Sequence, residues 1–123
     1  MTWARVLAET TSTLRAAGCV AAEEEATELM GAAAGSSVRL RELVARRCTG
    51  EPLAWLVGSV SFCGVTVLVH PEVYVPRWQT EPLAIEAAAR LPEDGIAVDL
   101  CTGSGAIAAV LSHRRPRARV ASS

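Results

Sequence analysis

One short segment near the end of the sequence limits the possible folds more than any other. Residues 96–100 (IAVDL) form an apolar run typical of a strand buried on both faces, and the stretch CTGSG follows at once. Residues 106–112 then have the apolar spacing of a helix, and Val120 and Ala121 have the character of a new strand. A strand, a glycine-rich turn, a helix and a second strand are the opening unit of a doubly wound α/β sheet.

The turn between this strand and this helix is suited to a ligand. Gly103 and Gly105 lack a Cβ atom, so a ligand can approach the backbone closely, and the first amides of the next helix can face polar ligand atoms. With Ala108 they satisfy the looser dinucleotide fingerprint. Asp99, however, suits the ammonium group of S-adenosylmethionine better than a pyrophosphate, which a carboxylate repels. An ordinary tight turn without a ligand is the third alternative.

The first half of the chain is predicted to be helical. Thr2 is suited to cap a first helix that stops at Gly18, and residues 21–33 form a second helix whose first turn carries three glutamates. A third helix follows the Gly-Ser-Ser break at residues 35–37, and residues 52–57 form a short fourth one. The apolar positions expected to face the core are Trp3, Val6, Leu7, Leu14, Ala22, Ala26, Leu29, Met30, Leu40, Leu43 and Val44.

The middle of the chain has a different character. Residues 60–75 are rich in β-branched side chains and poor in charge, and Gly64 separates two short runs, which predicts a β-hairpin. Pro71 ends the second run, because proline cannot continue a ladder. Thr80 is expected to cap a helix that extends to about Arg90.

Composition excludes several classes of function. The chain carries 12 basic and 13 acidic residues, a net charge of -1, and only 4% aromatic residues, so neither a whole-chain footprint for nucleic acid nor a stacking platform for bases is expected. Cys19, Cys48, Cys63 and Cys101 lack metal or redox spacing and are expected to be small buried hydrophobes in a reducing compartment. Neither a signal peptide nor an apolar run of about 18 residues is present, which favours a soluble cytoplasmic protein.

A series of motifs in fixed order resembles the HemK/PrmC family of protein-(glutamine) methyltransferases, the peptide chain release factor glutamine methyltransferases. The similarity is greatest to an actinobacterial branch, and it extends over roughly the whole chain as the N-terminal part of the family's sequence. The Pro-Arg-x-x-Thr-Glu stretch is specific, since dinucleotide enzymes have no reason to carry it before a glycine turn. The motifs are Gly50-Glu51-Pro52-Leu53-Ala54, Gly58, Phe62-Cys63-Gly64, Val75-Pro76-Arg77-Trp78-Gln79-Thr80-Glu81 and residues 99–108.

The resemblance implies an architecture and an activity. Residues 1–58 correspond to a helical substrate-recognition domain, residues 59–79 to a β-hairpin linker and lid, and residues 80–123 to the start of an S-adenosylmethionine-binding domain. The implied fold is thus an α+β part followed by the first β-α-β unit of a class I, Rossmann-like methyltransferase domain, truncated. The implied reaction methylates a glutamine side-chain amide of a peptide chain release factor, which is the expected partner, with no direct nucleic-acid or membrane partner.

The resemblance also implies cofactor-binding residues. Its departures matter: Cys101 stands where the family usually has glycine, and the ribose-binding acid and the Asn-Pro-Pro-Tyr motif are expected beyond residue 123. No catalytic or metal-binding residue is therefore expected within the chain. The implied cofactor-binding residues are Asp99, Cys101, Thr102, Gly103, Ser104 and Gly105 in the turn, and Arg77, Thr80 and Glu81 in a loop that covers it.

Two alternatives to a methyltransferase stay open on the residues alone. One is a fragment of a nucleotide-binding oxidoreductase, and the other is a non-enzymatic helical adaptor in which the glycine turn is incidental. The methyltransferase hypothesis carries a further expectation: the chain alone is inactive and self-associates through its incomplete sheet.

Overall fold

The chain divides into two compact units, the first ending at Val57 and the second running Gly58–Ser123. The computed structural model describes residues 2–123. The first unit contains the helices α1 (Trp3–Ala16), α2 (Ala22–Ala33), α3 (Ser37–Cys48) and α4 (Leu53–Val57). The second unit contains β1 (Ser59–Phe62), β2 (Val65–Leu68), a 3₁₀ turn (Trp78–Thr80), α5 (Glu81–Arg90), β3 (Ile96–Asp99), α6 (Ala106–Arg114) and β4 (Arg119–Ser122).

The predicted helices of the first unit are confirmed, together with their caps. The Thr2 hydroxyl accepts a hydrogen bond from the Arg5 N–H at 3.3 Å, and the Ser36 hydroxyl accepts one from the Arg39 N–H at 3.1 Å. Each bond satisfies one of the four N–H groups that a helix start leaves without a partner. The core between the helices consists of Leu14, Ala22, Ala26, Leu29, Ala33, Leu43 and Leu56.

The predicted burial of Trp3 was wrong, and one glutamate of α2 forms an ion pair. Trp3 is exposed, because the side chains that cover α1 pack around Leu14 towards its other end. The glutamates of the first turn of α2 are not all solvated: Glu25 is half-buried, and its Oε1 accepts a hydrogen bond from Arg47 Nη2 at 2.9 Å. Arg47 also donates to the Glu51 carbonyl, so its side chain links α2 and α3 to the segment that precedes α4.

The predicted hairpin is confirmed, and its second strand ends at Leu68. β1 and β2 are antiparallel, with Phe62 opposite Val65 and a two-residue turn between them. Cys63 and Gly64 have φ angles of 50° and 74°, as the two central residues of a type I′ turn require. Phe62 and Val67 are buried together with Ala84 of α5 and with Ala106 and Val110 of α6.

The last segment forms a strand–helix–strand arrangement. β3 is parallel to β4, Ile96 lies opposite Arg119, and α6 connects the two strands. The expectation that residues 96–100 are buried on both faces was wrong: Ile96, Val98 and Leu100 are 73%, 61% and 73% exposed. Only one face is covered, where the alternate residue Ala97 packs with Leu111 of α6 and its neighbours.

The cysteines also differ from their prediction. All four are free thiols. Cys48 and Cys101 are exposed, whereas Cys19 and Cys63 are half-buried, so none behaves as the fully buried hydrophobe that their type suggested. The reason is position: Cys48 ends a surface helix and Cys101 lies in a turn.

Across residues 2–123, none of the helices combines the length and the apolar character needed to span a bilayer.

Candidate functional site

The turn between β3 and α6 is built on alternating left-handed residues. Cys101, Gly103 and Gly105 have φ angles of 57°, 58° and 81°, and Gly105 is the residue that caps α6. L-residues pay roughly 1–2 kcal/mol for this conformation, which glycine adopts freely. A Cβ atom built on Gly103 would meet nothing within 4 Å, so the left-handed backbone angle, and not a lack of space, favours glycine there.

The turn is held in place by the end of β4. The Thr102 N–H donates to the Ser123 carbonyl at 2.9 Å, and the Ser123 N–H donates to the Asp99 carbonyl at 3.0 Å. Within the turn, the Gly105 N–H donates to the Thr102 carbonyl at 2.9 Å. Hydrogen bonds to the end of β4 and within the turn itself therefore both restrain the backbone from Asp99 to the start of α6.

One side-chain contact orients the carboxylate of the site. Thr102 Oγ1 donates to Asp99 Oδ2 at 2.6 Å, and both residues are half-buried. This bond leaves Asp99 Oδ1 available to a ligand. Both residues were predicted from the sequence, but their contact was not. A carboxylate followed three residues later by a hydroxyl is the signal that could have indicated it.

The same turn offers backbone donors. In the part of the chain that the structure describes, the N–H groups of Gly103 and Ser104 make no hydrogen bond. A carboxylate acceptor beside free N–H donors complements a ligand that carries both an ammonium and a carboxylate group, as an amino acid does. A pyrophosphate would use the N–H donors but would be repelled by Asp99.

The other predicted site residues make their contacts away from the glycine turn. Arg77 is exposed, and Thr80 and Glu81 are half-buried where the 3₁₀ turn meets α5. Glu81 contacts the hairpin: its Oε2 accepts a hydrogen bond from the Cys63 N–H, and its carbonyl accepts one from Cys63 Sγ at 3.7 Å. Within residues 2–123, no hydrogen bond or ion pair joins these three residues to the glycine turn.

The electrostatics near Glu81 alter one thiol. Burial raises the pKa of Cys63, the negative charge of Glu81 raises this pKa further, and the positive charge of Arg114 opposes both effects. Cys63 is therefore a neutral thiol near neutral pH. Among the residues described, no group of three or more His, Cys, Asp or Glu side chains could hold a metal ion.

The helical unit carries a surface groove that the sequence did not reveal. The groove has a volume of about 610 Å³ and lies between α1 and α3. Leu40 and Val44 are half-buried and pack against the core, as periodicity predicted, and together with Val6 they also line this groove. A neighbouring hollow of about 560 Å³ shares Val6 and Leu40 and is lined in addition by Trp3.

Comparison with known proteins gives a consistent result. The chain is 51% identical over 83 residues to a release factor glutamine methyltransferase of Mycobacterium leprae, a match to 67% of this chain and 29% of that protein. It is 45% identical over 85 residues to the protein of the same name from Neisseria gonorrhoeae, covering 69% of this chain and 31% of that protein. For the Geobacter sulfurreducens protein the identity is 42% over 80 residues, with coverages of 65% and 28%.

The matches agree with the motif series, although no family model matches the chain. The chain spans less than a third of the length of these relatives. Identities of 42–51% over about two thirds of the chain, found in several bacterial groups, are those of homologues. The chain therefore belongs to the HemK/PrmC family, the release factor glutamine methyltransferases.

Proposed function

We propose that this chain holds the substrate-recognition part and the start of the cofactor site of an S-adenosylmethionine-dependent methyltransferase. Its substrate would be a glutamine side-chain amide of a peptide chain release factor. This proposal is supported by the relatives, whose names state that they methylate a release factor glutamine. The observation that carries the proposal is the half-buried Asp99 carboxylate, oriented by Thr102 at the mouth of a glycine turn, in a chain of this family.

The residues of the turn fit the amino-acid end of S-adenosylmethionine. We propose that Asp99 accepts hydrogen bonds from the cofactor's ammonium group and that Gly103 and Ser104 donate to its carboxylate. Cys101, Thr102 and Gly105 shape the backbone around that group. When bound, the cofactor supplies an electrophilic methyl group on a sulfonium. The task of this chain is to hold and orient it.

The other segments are assigned by the same proposal. Residues 1–58 would hold the protein substrate, and the groove between α1 and α3 is one surface that the helical unit offers for it. Residues 59–79 would form a linker and lid, and residues 80–123 the start of a class I, Rossmann-like domain. Arg77 and Thr80 belong to the covering segment and are proposed to approach the cofactor from the side opposite Asp99.

Transfer to an amide needs orientation more than it needs a strong base. An amide nitrogen is a poor nucleophile because its lone pair is delocalised, and acceptors that hold its N–H groups can aim the nitrogen at the methyl group. Correct orientation of two reactants is worth up to about 7–11 kcal/mol in favourable systems. No such acceptor is assigned to a residue of this chain, and we assign no catalytic residue.

Binding experiments test the proposal on the 123-residue chain. Titration calorimetry with S-adenosylmethionine and, separately, with NAD should detect weak binding of the first and none of the second. Asp99→Ala should weaken the binding of S-adenosylmethionine by roughly tenfold or more, since one charge-assisted contact is lost. Asp94→Ala is the matched control, because Asp94 is exposed and is paired with Arg117. Tight binding of NAD without a response to S-adenosylmethionine would overturn the proposal.

A further inference from the structure

The hairpin turn of the second unit has a backbone donor that its own ladder does not use. In a two-residue turn the first central residue points its N–H group away from the paired strands, and here that residue is Cys63. Cys63 also adopts a left-handed φ of 50°, which is unfavourable for an L-residue. A strong hydrogen bond to this N–H group therefore stabilises a turn that its sequence only partly favours.

Glu81 supplies that bond from another element. It is the first residue of α5, where a carboxylate is favoured by the helix dipole, and its Oε2 accepts the bond from the Cys63 N–H. Cys63 Sγ donates in return to the Glu81 carbonyl. The two residues thus make two separate contacts across 18 positions of sequence.

Packing continues this contact to the glycine turn. Phe62, next to Cys63, is 1% exposed and lies in one cluster with Ala84, which follows Glu81 by one turn of α5. The same cluster contains Ala106, the first residue of α6, which directly follows Gly105. Any movement of the hairpin away from α5 would remove packing from behind the last glycine of the turn.

We propose that Glu81 is a positioning residue: its carboxylate holds the β1–β2 turn on α5, and it acts on the glycine turn through this contact, without touching the cofactor. The part that concerns the cofactor rests on the proposed function. The part that concerns the hairpin rests on the Glu81–Cys63 contact alone and can be tested without any ligand.

Two substitutions separate the hydrogen bond from the charge. Glu81→Gln keeps an acceptor oxygen and removes the negative charge, whereas Glu81→Ala removes both. Glu86→Ala is the matched control, because Glu86 lies on the same helix in an exposed pair with Arg90. Cys63→Gly keeps the N–H group, relieves the left-handed backbone and removes the thiol, so it should leave the bond to the Glu81 carboxylate intact.

Amide hydrogen exchange measured by NMR is the first readout. Glu81→Ala should speed exchange at the amide of residue 63 by roughly tenfold or more. In Glu81→Gln and Cys63→Gly, the exchange rate at this amide should stay within about threefold of that in the parent chain. Exchange at Ala109, whose N–H donates to the Gly105 carbonyl, should also rise in Glu81→Ala. Unchanged exchange at the Cys63 amide in Glu81→Ala would overturn the proposal.

The pH profile of Cys63 alkylation, resolved by peptide mass spectrometry, is the second readout. The charged groups that act on this thiol are Glu81 and Arg114. Glu81→Gln should lower the pKa of the Cys63 thiol towards its ordinary value and move the profile to lower pH, with amide protection retained. If Glu81→Gln only loosened the structure in general, amide exchange at Cys63 and the pH profile of its alkylation would both change. An unmoved profile in Glu81→Gln would count against the proposal even if Glu81→Ala failed to fold.

Cofactor affinity distinguishes the two proposals. If the parent chain does not bind S-adenosylmethionine, the proposed function fails for this chain, and the exchange data still decide the role of Glu81. If Glu81→Ala weakens binding while the Cys63 amide stays protected, Glu81 contacts the cofactor directly and the positioning role is wrong.

Discussion

Cys101 adopts a backbone conformation that suits glycine better than any L-residue. Its φ is 57° and its side chain is exposed, so the chain bears the cost of a left-handed residue without gaining buried apolar area. Gly103 and Gly105 bear no such cost in the same turn. Cys101 therefore destabilises the glycine turn relative to a glycine at the same position.

Replacing Cys101 by glycine should stabilise the chain. The left-handed strain is relieved, and the greater freedom of glycine in the unfolded chain offsets part of the gain, which leaves about 0.5–1 kcal/mol. The measurement is the midpoint of urea unfolding under reducing conditions. Cys48→Gly is the control: Cys48 is also exposed but ends a right-handed helix, so this change should destabilise the chain. A lower midpoint for Cys101→Gly would contradict the argument.

The ion pair between Glu25 and Arg47 is the least exposed ion pair among the described residues of the helical unit. The side chains are only 13% and 22% exposed, and a hydrogen bond from Arg47 to the Glu51 carbonyl adds to the pair. The bond to Glu25 is the main cause that raises the pKa of Arg47 above its already high ordinary value. Removal of the carboxylate leaves a poorly solvated guanidinium.

Glu25→Ala should lower the free energy of unfolding by about 2 kcal/mol, less than a fully buried pair loses because solvent reaches part of this one. Glu9→Ala removes an i,i+4 partner of Arg5 on the exposed side of α1 and should cost at most about 0.5 kcal/mol. Urea unfolding of both variants gives the comparison. Equal losses would show that the Glu25–Arg47 pair behaves as a surface pair.

Secondary-structure elements were predictable here where their signals are local. The Thr2 and Ser36 caps, the Gly64 hairpin turn and the glycine turn all act within a few positions, and the structure confirms them as elements. The predicted Thr80 cap was wrong: α5 begins where expected, but the Thr80 side chain makes no capping hydrogen bond, because its backbone is already helical after the 3₁₀ turn. Burial was less predictable: apolar alternation in β3 cannot tell whether a second layer covers its other face. The Asp99–Thr102 bond spans only three positions and has a local spacing signal, whereas tertiary geometry alone brings Glu81 and Cys63 together across 18 positions.

Phe62 is the side chain on which the hairpin depends. It is the largest fully buried residue of the described chain, and it joins β1 to α5 and α6. Phe62→Ala should cost about 3–5 kcal/mol and release the hairpin, with loss of amide protection at Val65 and Val67. Leu68→Ala on the exposed side of β2 should change stability by less than about 1 kcal/mol. Retained protection in Phe62→Ala would mean that the hairpin is stable by itself.

At the scale of the whole molecule, the second unit presents an apolar strand face to solvent. Ile96, Val98 and Leu100 share this face, and β3 has one paired neighbour in the structure. An apolar strand with an open edge is a template for pairing with another chain. We therefore expect association of the isolated chain.

Sedimentation at several concentrations tests this expectation. The 123-residue chain should form dimers or larger species as its concentration rises, and Val98→Lys should shift it towards the monomer because a charge cannot be buried in a sheet-to-sheet contact. Leu83→Lys, an equally exposed apolar position on α5, should leave the association unchanged. A parent chain that stays monomeric at every concentration would contradict the expectation.

The bonds between the glycine turn and Ser123 have a consequence for the order of events during synthesis. The turn leaves the ribosome before the residue that anchors it, so the growing chain first carries residues 99–105 as an open loop. Only when α6 has formed and β4 has aligned with β3 does that loop acquire its final geometry. The helical unit, whose contacts are local, needs no such delay. The turn geometry that we propose for cofactor binding therefore forms late, coupled to the emergence of a strand that itself carries no predicted ligand contact.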